Sequence, residues 1–354
     1  MGFKRLDPED FLLSAESVTQ TVWTGGSPTL NSFFTSSVQV NASISGDYYL
    51  TVYDKATTDV TSEDQFDIAY ANANGDGALL YNDAVNDASP TQTIYGQYQT
   101  IILQDEDTTF TFGDYTAAAN SDNDFYVISV ERSRYKEKLL PGTLSLQLSG
   151  DGTNILLLTD NSLDVSLPTY YGTQRAYQIV RQGTTPGRGD QYGSQRGYTA
   201  TRGSYGLFLP DIGVIMLNAA ALDFSFSNPA VSADVGVSLG TLRTVDSDAE
   251  NHKKLFSVIN TGASFTLNCE ETITSNLVFI RARNSEFNYS ENPSFTRGST
   301  GEVYHNSFIN QPQTFPTSVG LYNDSNELVA VAKLSRPLLK DFTKEALIRV
   351  KLDF

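Results

Sequence analysis

Scarcity is the first feature of this sequence. Among 354 residues there is one cysteine, Cys269, and there are two histidines, His252 and His305. A single thiol excludes any disulfide within the chain, so stability has to come from packing and assembly, and the chain can mature in a reducing compartment. Two histidines exclude a histidine-rich metal centre. Long apolar runs are missing as well. The most apolar stretch, Leu207 to Leu222, is interrupted by Pro210 and Asp211 and reads as two buried strands, too short and too flawed to span a bilayer. Met1 to Val18 carries Asp7, Glu9, Asp10 and Glu16, which suits neither a secretory signal nor a membrane span. Leu6 occupies the position where N-myristoylation wants Ser or Thr. The expectation is a soluble protein with no membrane insertion and no cleaved N-terminal signal.

Positive charge is scarce in one region only. Residues 1–130 hold Lys4, Arg5 and Lys55 against 19 acidic residues, whereas the rest of the chain is nearly neutral, for a total of -17. Such a field repels nucleic acid and favours solubility or a basic partner. No nucleic-acid partner is therefore expected.

What is present is strand-forming material. Hydrophobic residues make up 40% of the chain and aromatic residues 11%, with 19 tyrosines and 20 phenylalanines against one tryptophan, set among Ser, Thr, Asn, Asp and Gly. That is a composition of strands and turns with enough apolar surface for a real core. Val38, Val40, Ala42 and Ile44 alternate with polar residues, Gly46 and Asp47 break the run, and Tyr49, Thr51 and Tyr53 resume it, which predicts strand, turn and strand. Further strands are predicted over 65–70, 93–103, 125–131, 143–148 and 154–158. Near the C-terminus, Val319 to Tyr322 and Glu327 to Leu334 flank a polar turn and read as a hairpin. The final strand alternates strictly, with Ile348, Val350, Leu352 and Phe354 on one face. The fold class expected is all-β, with two or more antiparallel sandwich-like domains, long loops and an N-terminal arm. The divisions expected are an arm at 1–26, an acidic β-domain at 27–140, a central β-region at 141–260 and a C-terminal β-domain at 261–354. The basic stretch Arg132 to Lys138 ahead of Pro141 and Gly142 marks the second boundary.

Few patterns carry chemistry. Asn72, Asn74, Asp76 and Asp83 place oxygen donors at relative positions 1, 3, 5 and 12 with Gly77 at 6, a spacing like that of an EF-hand loop. Asn at position 1, Asp at position 12 and the lack of evident flanking helices favour a polar hairpin loop instead. With 41 acids no glycosidase-type carboxylate pair can be singled out. Cys269 reads as a buried structural thiol, neither histidine has a motif around it, and no phosphate-binding glycine fingerprint occurs, so no catalytic residue and no cofactor are expected. The glycine-rich stretch 182–206 interleaves Arg188, Arg196 and Arg202 with Tyr192, Tyr198 and Tyr205, a loop suited to packing against a neighbouring subunit or to stacking on a ligand. Phe3, Leu6, Phe11 and Trp23 mark the N-terminal segment as an arm for another subunit.

Several strings resemble those of virion structural proteins of contractile-tailed, T4-like phages infecting cyanobacteria: "NSFFTSSVQVNASISGDYYLTVYD", "GSYGLFLPDIGVIMLN" and, most specific, "PTSVGLYNDSNELVAVAKLSRPLLKDFTKEALIRVKLDF". The resemblance touches most of the chain. It implies a non-enzymatic particle component of the tail or baseplate, folded in the host bacterial cytoplasm and located in the virion. Its partners would be other virion proteins and copies of itself. The alternatives are a receptor- or glycan-binding module, a capsid or neck component, or an enzyme acting on surface polysaccharide.

Overall fold

In the computed structural model the described residues are 4–37, 39, 48–78, 89–104, 109–112, 123–153, 155–164, 167–182, 204–227 and 250–353. The first half of the chain forms strands β1 (Phe11–Thr21), β2 (Thr29–Leu30), β3 (Tyr49–Tyr53), β4 (Asp64–Asn72), β5 (Asp124–Val130), β6 (Lys138–Leu139), β7 (Ser145–Leu148), β8 (Leu156–Asp160), β9 (Thr169–Tyr171) and β10 (Gln174–Arg181). Then come β11 (Gly206–Leu209), β12 (Val214–Asn218), β13 (Ser264–Thr266), β14 (Asn268–Ala282), β15 (Thr296–Arg297), β16 (Glu302–Val303), β17 (Gln313–Thr314), β18 (Ser318–Tyr322), β19 (Leu328–Lys333), β20 (Lys340–Asp341) and β21 (Ala346–Asp353). Among the described residues the named α-helices are α1 (Pro90–Tyr98), α2 (Ala219–Ser227), α3 (Asn251–Gly262) and α4 (Ser307–Asn310). The protein is predominantly β, as its composition predicts, and its sheets are antiparallel.

The chain divides into two compact units, Val18–Glu271 and Met1–Ser17 with Thr272–Phe354. This differs from the divisions expected at 26, 140 and 260. Composition changes near residue 140, but β5 and β7 on either side of it belong to one sheet.

The larger unit is built on an eleven-stranded sheet in the order β2-β13-β7-β8-β10-β11-β12-β5-β4-β3, with β9 added to β10. Its central strands are buried on both faces, which is why they read as unbroken apolar runs. On β5, Tyr126, Ile128 and Val130 point into one cluster with Trp23, Phe66, Leu255, Ile259 and Phe265, while Phe125 and Val127 point into another with Ile94, Tyr95, Phe110 and Phe112. Helix α3 supplies the cover on the first face and α1 on the second. Rings pack at tilted and edge-on angles throughout, Trp23 to Phe265 at 4.8 Å, Phe66 to Phe265 at 5.4 Å and Phe110 to Phe125 at 4.9 Å. These are the arrangements aromatic quadrupoles favour.

Two predicted strands are corrected. Residues 93–103, expected to be extended, form most of α1 and a following π-helical turn, Gln99–Leu103. Pro90 starts the helix where its missing N–H costs nothing, and Thr91, Ile94, Tyr95 and Tyr98 recur at the helical spacing, burying Ile94 and Tyr95. Of the first strand expected in the stretch from Ser37, the described residues Ser37 and Gln39 are helical, and 38 and 40–47 lie outside the described residues. The two strands expected within Leu207 to Leu222 are present as β11 and β12, followed by α2.

The smaller unit pairs β14 with β21 from Ser275↔Asp353 to Ala282↔Ala346, with β1 on the other side of β14. The predicted hairpin is β18 paired with β19. Strand β21 alternates as expected, Ala346, Ile348, Val350 and Leu352 facing inward more than Leu347, Arg349, Lys351 and Asp353. Phe354 lies outside the described residues.

Candidate functional site

The described part of the 72–83 stretch forms a turn. The Asn72 carboxamide oxygen accepts a hydrogen bond from the Asn74 backbone N–H at 2.7 Å, and Gly75 N–H donates to the Asn72 carbonyl at 3.0 Å. Asn72 Nδ2 reaches the Tyr70 hydroxyl at 3.4 Å, and that hydroxyl donates to Asp124 Oδ2 at 2.6 Å. Gly77 has φ +80°, and a Cβ there would meet Tyr70 and Asn251 at 2.5 Å, so the turn requires glycine for geometry. The Asp76 backbone carbonyl accepts a bond from Thr91 Oγ1 at 3.0 Å, while Asp83 lies outside the described residues. Among the described residues no cluster of three or more His, Cys, Asp or Glu could hold a metal ion.

The expected interface residues fall into different places. Phe3, Arg188, Tyr192, Arg196, Tyr198 and Arg202 lie outside the described residues. Tyr205 is 2% exposed and its backbone bonds into the sheet through Ile179 and Asn218, so it is a core residue and not part of a binding loop. Trp23 is equally buried, its indole N–H donating to the Phe265 carbonyl at 2.8 Å. An aromatic ring in a polar stretch reads the same in sequence whether it turns in or out; here a buried partner carbonyl and two neighbouring rings draw it inward. The N-terminal arm is likewise corrected, because Phe11–Thr21 is a hydrogen-bonded strand. Leu6 is half-buried, whereas Phe11 is 52% exposed and its neighbours Leu12 and Leu13 are exposed too.

The smaller unit concentrates exposed apolar surface. Phe11, Leu12 and Leu13 on β1, Leu328, Val329 and Val331 on β19, and Phe315, Phe342 and Leu347 are all more than half exposed. Among its described apolar residues only Val278, Ala282, Ala346 and Val350 are buried. The β18–β19 hairpin buries no residue fully on either face, and a two-stranded ribbon alone is marginal in water. No family model, curated protein or solved structure matches the chain.

In the larger unit a cleft of about 220 Å³ opens on the sheet face beside α1, lined by Tyr48, Tyr49, Asp67, Ala69, Ile94, Gln97, Tyr98, Val127 and Ser129. Strand register builds it: Tyr49, Ala69 and Val127 stand in one cross-strand row, and Thr51, Asp67 and Ser129 in the next. Burial pushes the Asp67 carboxyl above its usual range, a hydrogen bond with Thr51 works against that, and the Glu131 and Asp64 charges push it further up. Burial also raises Tyr98, opposed by its hydrogen bond with Ser129 and reinforced by Asp67. Sequence reading missed this site because its residues are spread from Tyr48 to Ser129, and the pairing of β3 with β4 and of β4 with β5 brings the strand residues together.

Proposed function

We propose that this chain is a non-enzymatic structural subunit of a bacteriophage particle, in the tail or baseplate, that works by protein–protein assembly with other virion proteins and with copies of itself. One observation supports the reading most: the unit Met1–Ser17 with Thr272–Phe354 exposes far more large apolar surface than it buries. Soluble monomers rarely expose extended apolar patches, and those that persist mark contacts with other macromolecules. Among the described residues β1 and β21 are the outer strands of the β1-β14-β21 row, and edge strands pair readily with another chain. The most specific part of the resemblance to cyanophage virion proteins lies in this same C-terminal stretch.

The test is incorporation. The wild-type chain should co-purify with particles at fixed stoichiometry, measured by quantitative mass spectrometry. A Leu13→Asp, Val331→Asp double variant should keep its thermal stability to within about 0.5 kcal/mol per site, because both side chains are exposed, yet fail to enter particles. Absence of the wild-type chain from purified particles, or normal incorporation of the folded double variant, overturns the proposal.

A further inference from the structure

We infer that the cleft beside α1 is a binding site for an organic ammonium group, with Tyr48, Tyr49 and Tyr98 forming an aromatic enclosure and Asp67 serving as the counter-ion. Three features of the geometry point there. Tyr48 and Tyr49 are 51% and 40% exposed, their centroids are 5.8 Å apart and their planes meet at 73°. Two open rings near a right angle offer ring faces to a cation from more than one side, and Tyr98 lines the same cleft. The floor is apolar, made by Ala69, Ile94 and Val127, which suits the methyl or methylene groups of an alkylammonium.

Charge decides between a cation and a neutral ligand. Asp67 sits half-buried on this floor, and the charged groups that act on it, Glu131 and Asp64, are both anionic. It takes part in no ion pair among the described residues. The sequence makes an internal partner scarce, since the first 130 residues contain only three basic side chains. Of these, Lys4 is bonded to Glu286, and Lys55 lies 4.0 Å from Asp54 and donates to Thr61. A carboxylate desolvated beside like charges gains most from a cation brought by a ligand. A neutral sugar would use the rings but leave that charge unanswered. The ammonium can come from a small quaternary amine or from a lysine side chain on another chain, and the two sources share one recognition chemistry.

The experiment titrates the full-length protein by calorimetry and by ligand-observed NMR with choline, with its neutral isostere 3,3-dimethylbutanol, with Nα-acetyl-lysine methylamide and with glucose. Choline should bind at least roughly tenfold tighter than 3,3-dimethylbutanol. Asp67→Asn should erase that difference, and Tyr48→Ala, at a half-exposed position with little bearing on folding, should weaken choline binding while circular dichroism stays unchanged. Tighter binding of the lysine derivative than of choline assigns the site to a partner's side chain, and the reverse assigns it to a free amine; either supports the inference. Equal binding of choline and its isostere, preference for glucose, or no binding of either cation at millimolar concentration overturns it.

Discussion

In the larger unit Trp23, Phe66 and Phe265 meet ring to ring in a core that helix α3 helps to cover, with strands buried on both faces; the smaller unit buries an ammonium group. Lys340 is 1% exposed, and its Nζ donates to the Asn284 carbonyl at 3.0 Å, to Asn288 Oδ1 at 2.9 Å and to the Asp341 carbonyl at 3.0 Å. Asn288 Nδ2 bonds back to the Asn284 carbonyl at 2.7 Å, and Thr314 Oγ1 donates to the Phe287 carbonyl. One unit is therefore stabilised mainly by area removed from water, the other by hydrogen bonds that fix loops around a few apolar residues. Apolar burial scales with the surface hidden, about 25 cal/mol per Å², so a unit with so little buried apolar surface gains much from a partner that covers it.

The comparison breaks most easily at Trp23. Replacing it with alanine removes a side chain packed at 5.9 Å from Phe66 and 4.8 Å from Phe265 and leaves the Phe265 carbonyl without its indole donor. The expected cost is about 4 kcal/mol, read by urea denaturation. Deletion of residues 1–26 should be worse, since Val22 and Trp23 leave together. A loss under about 1 kcal/mol for Trp23→Ala would mean that the aromatic cluster does not hold the larger unit.

That residue also shows where sequence reading stops. The double-sided burial of β5, β11 and β12 is legible in their unbroken apolar runs, and the one-sided burial of β21 in its alternation. Helix α3 carries a helical pattern too, Leu255, Val258, Ile259 and Gly262, and it crosses the boundary expected at 260 between two β-regions. Nothing local announces that Thr29 and Leu30 pair with Thr266 and Phe265, or that Tyr49 and Val127 share a row across β4. Sheet order is set by contacts remote in the chain, so the cleft was invisible while the strands that form it were partly foreseen.

Acid should distinguish the two units next. His252, near the start of α3, has its pKa lowered to about 4 from 6.5, first by burial and then by Lys253. In the unfolded chain it takes up a proton as pH falls below about 6.5, while the folded form stays neutral until about 4, so the unfolded state binds more protons across that window and stability falls with pH. The contribution lost is up to about 3 kcal/mol. Asp160, raised by burial, has the opposite sign. Comparison with His252→Gln isolates the histidine: the wild type should lose more stability than the variant between pH 6.5 and 4 in matched thermal melts. Parallel curves would show that His252 is charged or solvated in the fold.

The smallest of these effects tests the polar centre of the other unit. Lys340→Met keeps the length of the side chain and removes the ammonium, taking the lysine donor from Asn288 Oδ1 and leaving the Asn284 and Asp341 carbonyls with one donor each, Asn288 Nδ2 and the Lys344 N–H. Two terms oppose each other. Unpaired buried acceptors cost about 1–3 kcal/mol, while the desolvation of a buried charge is relieved. Three good acceptor distances tip the balance toward destabilisation by about 2 kcal/mol, confined to the smaller unit and visible as faster amide exchange in 284–288 and 338–342 with the larger unit unchanged. A neutral or stabilising result would mean that the ammonium is tolerated there and that the few apolar residues around Val278 and Val350 carry the unit after all, which would erase the contrast between the two halves of the molecule.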